Sequence, residues 1–178
     1  MNITQALHRA AAQTPELPAT IFGDRVRSWA QCRDRVARLA GALRGLGVSA
    51  DDRVGILSLN SDRYHEILLA VPWAGGVVNP VNTRWSVREI AFSLVDSGTR
   101  ILFVDDAFAG ALPELSREGD PLAWVVYCGE GDAPVGTLRY EDLIAGAEPI
   151  EDAHRHAQGR HAQPPRHGHL SARVRRGR

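Results

Sequence analysis

The sequence contains no lysine. Any chemistry that needs a lysine side chain is thereby excluded. Cysteine is almost as scarce. Cys32 and Cys128 show neither metal-ligand nor redox spacing, which leaves two buried thiols and no disulfide framework. No apolar run approaches the ~18 residues that cross a bilayer. The opening MNITQALHRAAAQTPELP lacks the charged-then-apolar design of a secretory signal, so the cytoplasm is the expected compartment. Acidic residues are missing only locally: none follows Asp152.

That last absence divides the chain. Its 178 residues carry 21 arginines and 21 acids, a formal net charge of zero. Fourteen arginines and all 21 acids lie at or before Asp152, giving −7; His154 to Arg178 holds the other seven arginines, for +7, and five of the seven histidines. This terminal stretch has no aromatic residue and only Leu170 and Val174 as large aliphatics, too little apolar surface to offset the entropy of ordering it. Residues 1–153 are expected to form one domain with a real core, and residues 154–178 a disordered Arg/His-rich tail.

Inside the domain, apolar runs alternate with amphipathic segments, most clearly from Arg53 to Asp106. Val54-Gly55-Ile56-Leu57, Val77-Val78, Ile101 to Val104 and Trp124 to Tyr127 read as strands. Tyr64, Ile67, Leu68 and Val71 recur at helical spacing, with a kink expected at Pro72 and a stop at Gly75-Gly76. Ser86 and Glu89 form a capping box, with Trp85 and Ile90 placed for a hydrophobic staple and Val87, Ile90, Ala91, Leu94 and Val95 on one apolar face. Upstream, Thr4 caps a helix over 4–14, and Gly23-Asp24 marks a hairpin between two short strands. Ser28 and Gln31 box the start of a helix that runs to about Leu46, before Gly47. Downstream, Ala107 to Arg117 is a weaker helix broken by Pro113, and Tyr140 to Ala145 a short one. Strand–helix repetition of this kind predicts an α/β fold, a parallel sheet with helices on both faces. Strands buried on both faces need neighbours, so an unfinished sheet would expose apolar surface.

Several pieces carry a resemblance. Asp52 to Ile56 with Asn60, Ala74-Gly75-Gly76-Val77-Val78-Asn79-Pro80-Val81-Asn82, and Ser86 to Ile90 occur in an order and spacing similar to the N-terminal part of the AMP-forming acyl-CoA synthetases of the adenylate-forming superfamily. The likeness extends back through Phe22-Gly23-Asp24 and Leu39 to Leu43, and covers roughly residues 1–150. The wording around Pro72-Trp73-Ala74-Gly75 is most similar to the fatty acyl branch. The resemblance implies an acid–thiol ligase that uses ATP, Mg and coenzyme A to activate a fatty acid through an acyl-adenylate. In such enzymes a Gly/Thr/Ser-rich loop ending in Pro-Lys-Gly, an aromatic-Gly-x-Thr-Glu segment, a ribose-binding Asp and a catalytic Lys do the work. All follow the region matched here, and two require a lysine. No catalytic, cofactor-binding or metal residue is therefore carried over, and the chain alone is expected to be inactive.

Other features have competing readings. Gly129-Glu130-Gly131 follows a strand and hints at a dinucleotide loop, but Pro134 occupies the third glycine position, so a surface turn is the alternative. Asp105-Asp106 ends a parallel strand, where ligands bind, or else forms a helix start or solvated pair. Asn79 and Asn82 read as side chains that satisfy turn amides, with ligand contact as the alternative. His65 beside Glu66 reads as a partly exposed structural histidine. His154, His156, His161, His167 and His169 suit adventitious zinc or nickel, and the tail arginines could hold phosphate, without aromatics to stack bases. The tail composition is also that of a GC-rich gene read out of frame, which fits the lysine-free, arginine-only basic set. A different class of function stays open: a non-catalytic binding or regulatory module, or one half of a split ligase whose partner chain carries the ATP site.

Overall fold

The computed structural model describes residues 3–118 and 122–154. Helix α1 (Thr4–Gln13) leads into an antiparallel hairpin of β1 (Pro18–Phe22) and β2 (Arg25–Ser28). Gly23 takes the positive φ its turn needs. The Ser28–Gln31 capping box starts α2 (Trp29–Gly45), and Gly47, at φ 94°, ends the turn behind it. Then come β3 (Arg53–Leu57), α3 (Asp62–Trp73), β4 (Val77–Pro80), α4 (Val87–Asp96) and β5 (Ile101–Val104). A 3-10 turn (Ala109–Ala111), α5 (Leu112–Leu115), β6 (Trp124–Tyr127), β7 (Leu138–Arg139) and α6 (Tyr140–Ala145) complete the described chain.

Five strands form one parallel sheet in the order β4-β3-β5-β6-β7. Every residue of β5 is buried, as a strand covered on both faces requires. On one face Val54, Ile56, Ile101, Phe103 and Val126 meet Leu7 of α1, Val36, Leu39 and Leu43 of α2, Ile67 and Val71 of α3 and Ile144 of α6. On the other, Leu57 and Leu102 meet Ile90, Ala91 and Leu94 of α4 and Leu115 of α5. These helices cover the central strands on both faces, while β4 and β7 each pair on one side only among the described residues. Exposed large apolar groups include Val77 at the start of β4 and Trp124 at the start of β6, Ile21, Phe22 and Val26 on the hairpin, and Trp85, Phe92 and Val95 at α4.

Several local expectations change. Thr4 does not cap α1; Ile3 occupies that position with no side-chain bond, and the Thr4 hydroxyl is committed to the buried Asp152 carboxylate. Pro113 sits in the first turn of α5, where its missing N–H costs nothing, so it starts a helix instead of breaking one. Val95 and Trp85 are exposed, so the inward face of α4 is narrower than the apolar pattern implies. Pro72 lies within α3, which continues one residue further to Trp73.

The segment from Glu148 to Ala153 lies as a strap across α1, α2 and α3. Ile150 N–H donates to the Ala37 carbonyl (3.2 Å), Trp73 Nε1 donates to the Ile150 carbonyl (2.9 Å) and Ala153 N–H to the Trp73 carbonyl (3.0 Å). Asp152, 1% exposed, also accepts from His8 Nε2 (2.9 Å) when that nitrogen carries the proton, and the His8 ring lies 4.6 Å from the Trp73 ring. A Cβ added at Gly41 would fall 2.1 Å from the Glu148 carbonyl oxygen, which explains a glycine in mid-helix. The tail residues from 155 onward, with His156, His161, His167 and His169, lie outside the described residues.

Candidate functional site at the carboxyl edge of the sheet

Helix α3 covers one face of the sheet and α5 the other, so the connections leaving β3 and β5 diverge. The crevice beyond the carboxyl ends of those adjacent strands is where open α/β sheets bind ligands. Here it holds Asp105. Its Oδ2 accepts from Leu59 N–H (2.7 Å) and Ser58 Oγ (3.0 Å), and its Oδ1 from Ala107 N–H (3.1 Å). Asp105 thus ties the ends of β3 and β5 together through turn amides and the Ser58 hydroxyl.

The loop after β6 is closed in the same way. Glu130 N–H (2.7 Å) and Gly131 N–H (3.2 Å) donate to the Asp106 carboxylate, and so does the Tyr127 hydroxyl. Amides arranged like this make an anion cradle, and its anion is a side chain of the same protein. The Tyr127 hydrogen bond and the two loop amides hold Asp106 below its ordinary carboxylate range. Burial, with the Asp106 hydrogen bond, pushes the Tyr127 phenol up to about 12. A Cβ at Gly129 or Gly131 would lie 2.5 or 2.8 Å from an Asp106 oxygen, so these glycines make room for a carboxylate. The loop amides are thus turned on a carboxylate of the chain itself.

Behind this edge lies a network that periodicity missed. Glu66 is fully buried and accepts from Arg35 Nε (2.8 Å) and Nη2 (3.0 Å) and from Tyr140 Oη (2.8 Å), with Arg27 Nε 3.3 Å away. Glu141 joins Arg35 (2.9 Å) to Arg63 (3.0 Å). Arg63 in turn donates to the Cys128 (3.1 Å) and Gly129 (2.6 Å) carbonyls. Asp62 accepts two bonds from Arg25, each 2.9 Å. Hairpin, α2, α3, α6 and the β6 loop are thus fastened by charge. Burial opposes the Arg35 charge, but hydrogen bonds to Glu66 and Glu141 outweigh it and raise its pKa. Burial likewise opposes the Asp62 charge, and Arg25 reverses that, holding the carboxylate low. Burial, reinforced by Glu66, sends the Tyr140 phenol well above its ordinary value.

The remaining candidates are structural. His65 is half-buried; burial lowers its pKa against the pull of Glu66. Asn82 Oδ1 accepts from Arg84 N–H (3.0 Å), the turn role expected of it. Asn79 instead donates its amide to the Ser97 and Thr99 hydroxyls, both at 3.0 Å, pinning β4 to the end of α4. Cys32 and Cys128 are both buried, and burial pushes each thiol up to about 12. What stays open at this edge is a cleft of about 380 Å³ between the β3 and β4 turns, lined by Leu59, Asn60, Tyr64, Val81, Asn82 and Thr83. Those neutral groups suit an apolar or uncharged polar moiety. Arg25, Arg35 and Arg63, and the 130–131 loop amides, are already committed to the chain's own carboxylates and carbonyls.

A parallel, doubly wound α/β unit with a self-capped carboxyl edge is the class that fold and site define. The sequence pattern of the AMP-binding enzymes matches residues 7–163, and the chain belongs to that family. The chain is 36% identical over 152 residues to a peroxisomal benzoate–CoA ligase of Arabidopsis thaliana, covering 80% of this chain and 26% of that one. It is 32% identical over 164 residues to a long-chain-fatty-acid–CoA ligase of Thermus thermophilus, covering 89% and 30%. Among solved structures, an anthranilate CoA ligase in complex with anthranoyl-AMP superposes with a TM-score of 0.80 at 26% identity, over 86% of this chain and 30% of that one. An acetoacetyl-CoA synthetase of Streptomyces lividans gives 0.75 at 30% identity, over 85% and 26%. The chain thus spans about a quarter of the length of the curated relatives it matches. The parallel sheet with helices on both faces is the N-terminal architecture of CoA ligases. Among the described residues no helix is long and apolar enough to cross a membrane.

Proposed function

We propose that the chain supplies the N-terminal α/β unit of an AMP-forming acyl-CoA ligase and does not complete the reaction alone. In the whole enzyme a carboxylate oxygen attacks the α-phosphorus of ATP and pyrophosphate leaves. The thiol of coenzyme A then attacks the acyl carbon and AMP leaves. Membership of the AMP-binding enzymes supports this chemistry, and the fatty-acid class rests on the Pro72-Trp73-Ala74-Gly75 wording and on the long-chain ligase that matches 89% of the chain. The observation that carries the second half is the state of the carboxyl edge. Asp105 and Asp106 fill its two anion-ready positions, and Arg25, Arg35 and Arg63 are spent on Asp62, Glu66, Glu141 and loop carbonyls. The described residues do not fit a triphosphate with its magnesium, which therefore belongs to chain beyond them. The neutral cleft beside Tyr64 and Asn82 is the part of this unit open to acid or thiol substrate.

Acid-dependent exchange of labelled pyrophosphate into ATP tests the reading. The purified chain is expected to show none above background with fatty or aryl acids. Exchange that is lost on changing a residue within 1–153 would overturn it.

A further inference from the structure

The amino edge of the sheet carries charge that the fold itself does not use. Strands β3 and β5 run parallel with Val54 beside Ile101, so Arg53 and Arg100, one position earlier, stand side by side. Neighbouring strands lie about 4.8 Å apart, and like charges at that spacing oppose each other. Neither guanidinium holds a carboxylate among the described residues. Arg53 Nη1 donates one long bond to the Asp51 carbonyl (3.4 Å), and the Arg100 side chain makes no hydrogen bond. Asp52 lies in the same hollow, but its Oδ2 is taken by the Ser49 amide (2.8 Å) and hydroxyl (2.6 Å), and it feels Arg100 only through space. Arg25, Arg35 and Arg63 differ, since each is bonded to a carboxylate.

The two arginines border a hollow of about 200 Å³ at the starts of β3, β5 and β6. Leu46 and Val48, from the turn behind α2, give it an apolar wall. Trp124, 42% exposed, gives it an aromatic one. The Trp124 amide donates to the Arg100 carbonyl (3.1 Å), as does that of Ala123 (2.7 Å), so the indole and the Arg100 guanidinium spring from backbone that is tied together.

We propose that this hollow binds a small organic anion with one flat aromatic ring, the ring against the Trp124 indole and its carboxylate or phosphate oxygens shared by Arg53 and Arg100. Size, charge and shape select this class. A cavity of ~150 Å³ holds one benzene ring, so the hollow takes a ring with one anionic group and has no room for a dinucleotide. Two guanidinium groups against one carboxylate leave a formal charge of 2 − 1 = +1 in the lining, and guanidinium grips planar carboxylate or phosphate through paired N–H groups. An indole face that is open to solvent offers stacking to a ring and little to an aliphatic chain. The site sits at the opposite end of the strands from Asp105 and Asp106, and it does not depend on the ligase reading.

The test titrates the isotope-labelled 178-residue chain with benzoate, phenyl phosphate, cyclohexanecarboxylate and benzyl alcohol. The readout is the Trp124 indole N–H resonance, identified by its loss in Trp124→Leu. Benzoate or phenyl phosphate should shift it saturably, and the tighter of the two assigns the head group as carboxylate or phosphate. Cyclohexanecarboxylate keeps the charge without the aromatic ring, and benzyl alcohol keeps the ring without the charge; each should bind at least tenfold more weakly. Arg100→Gln and Arg53→Gln should weaken the better anion by a similar factor. Both positions are exposed, so neither change should move the thermal midpoint. Arg88→Gln, at an exposed arginine on α4, should leave binding as it was. No saturable shift with either aromatic anion would overturn the proposal. So would equal binding of either control compound, or binding indifferent to both changes at Arg53 and Arg100.

Discussion

The two faces of the sheet are built by different rules. Behind one, α2, α3 and α6 combine a large apolar core with a charged network in which Glu66 is fully buried. Behind the other, α4 and α5 pack a small aliphatic cluster with no charged side chain in it. The difference matters because the two respond to opposite kinds of damage. An aliphatic cluster loses stability in proportion to the volume removed, and its exposed side tolerates change. A buried ionic network is indifferent to modest volume changes and intolerant of a missing partner.

The sharpest way to break the comparison is to remove one charge. Glu66→Gln leaves Arg35 and Arg27 facing a neutral amide in a buried site. Breaking a buried pair from one side costs ~3–5 kcal/mol, so urea denaturation should show most of a small domain's margin gone. Asp34→Ala, which removes the exposed i,i+4 partner of Arg38, is the control; exposed pairs are worth ~1 kcal/mol or less. Equal effects from the two changes would mean that burial does not set the value of these pairs. Acid should act on the same side of the sheet. Asp62 is held below its ordinary 3.8, with Arg25 overcoming the burial that opposes it, so its folded pKa is the depressed one. Its contribution is present above the unfolded pKa and lost as pH falls through the folded value, in the range below about 4. Asp62→Asn should flatten that part of the pH–stability profile; an unchanged profile would assign the acid sensitivity to other carboxylates.

A second break sits where α2 meets the strap. Gly41→Ala puts a methyl 2.1 Å from the Glu148 carbonyl oxygen, a position no backbone atom can share, so the strap must move. Overpacking of this kind costs ~1–3 kcal/mol. Hydrogen exchange should report it at the Ile150 and Ala153 amides, whose bonds to Ala37 and Trp73 hold the strap, before it reaches the strands. Protection at those amides equal to that of the unchanged chain would show that the strap adjusts without opening.

These contrasts explain what could be read in advance. Capping boxes at Ser28–Gln31 and Ser86–Glu89 are local in sequence and appear as expected, as do the stops at Gly47 and Gly75. So do the strand–helix alternation and the two-faced burial of β5, because a period of two or 3.6 is a property of neighbours along the chain. Asp62, Arg63 and Glu66 were illegible for the converse reason. On α3 they occupy what binary patterning treats as a solvent face, and only partners 31 to 78 positions away make them interior. Thr4 misled in the same way: its hydroxyl looks like a cap until Asp152, 148 residues on, claims it. At the candidate site, the glycines of 129–131 were legible as a turn, but the occupant of their amides was not, since Asp106 lies 24 residues upstream of Glu130.

The cap of α4 sharpens the comparison at smaller scale. Ser86 accepts from the Glu89 amide, and Glu89 reaches back to the Ser86 amide (2.8 Å). Ser86→Ala should cost ~1 kcal/mol, seen as a lower denaturation midpoint with an unchanged slope. A change much larger than this would mean that α4 carries more of the fold than its short aliphatic cluster implies.

The smallest effect is expected at Phe92, and there the comparison closes on a single helix. Leu94 and Phe92 are two residues apart, and the first is 1% exposed against 71% for the second. Leu94→Ala removes a side chain packed with Leu57 and Leu102, at a cost of ~2–5 kcal/mol. Phe92→Ala removes a larger side chain that touches mostly water, so in the free chain it should shift stability by no more than ~0.5 kcal/mol. Size alone would order the two the other way. Parallel denaturation of both variants therefore measures whether the outer stripe of α4 has any cover in the free chain. If Phe92→Ala costs as much as Leu94→Ala, that stripe is already packed in the free chain, by a second copy or by another part of it.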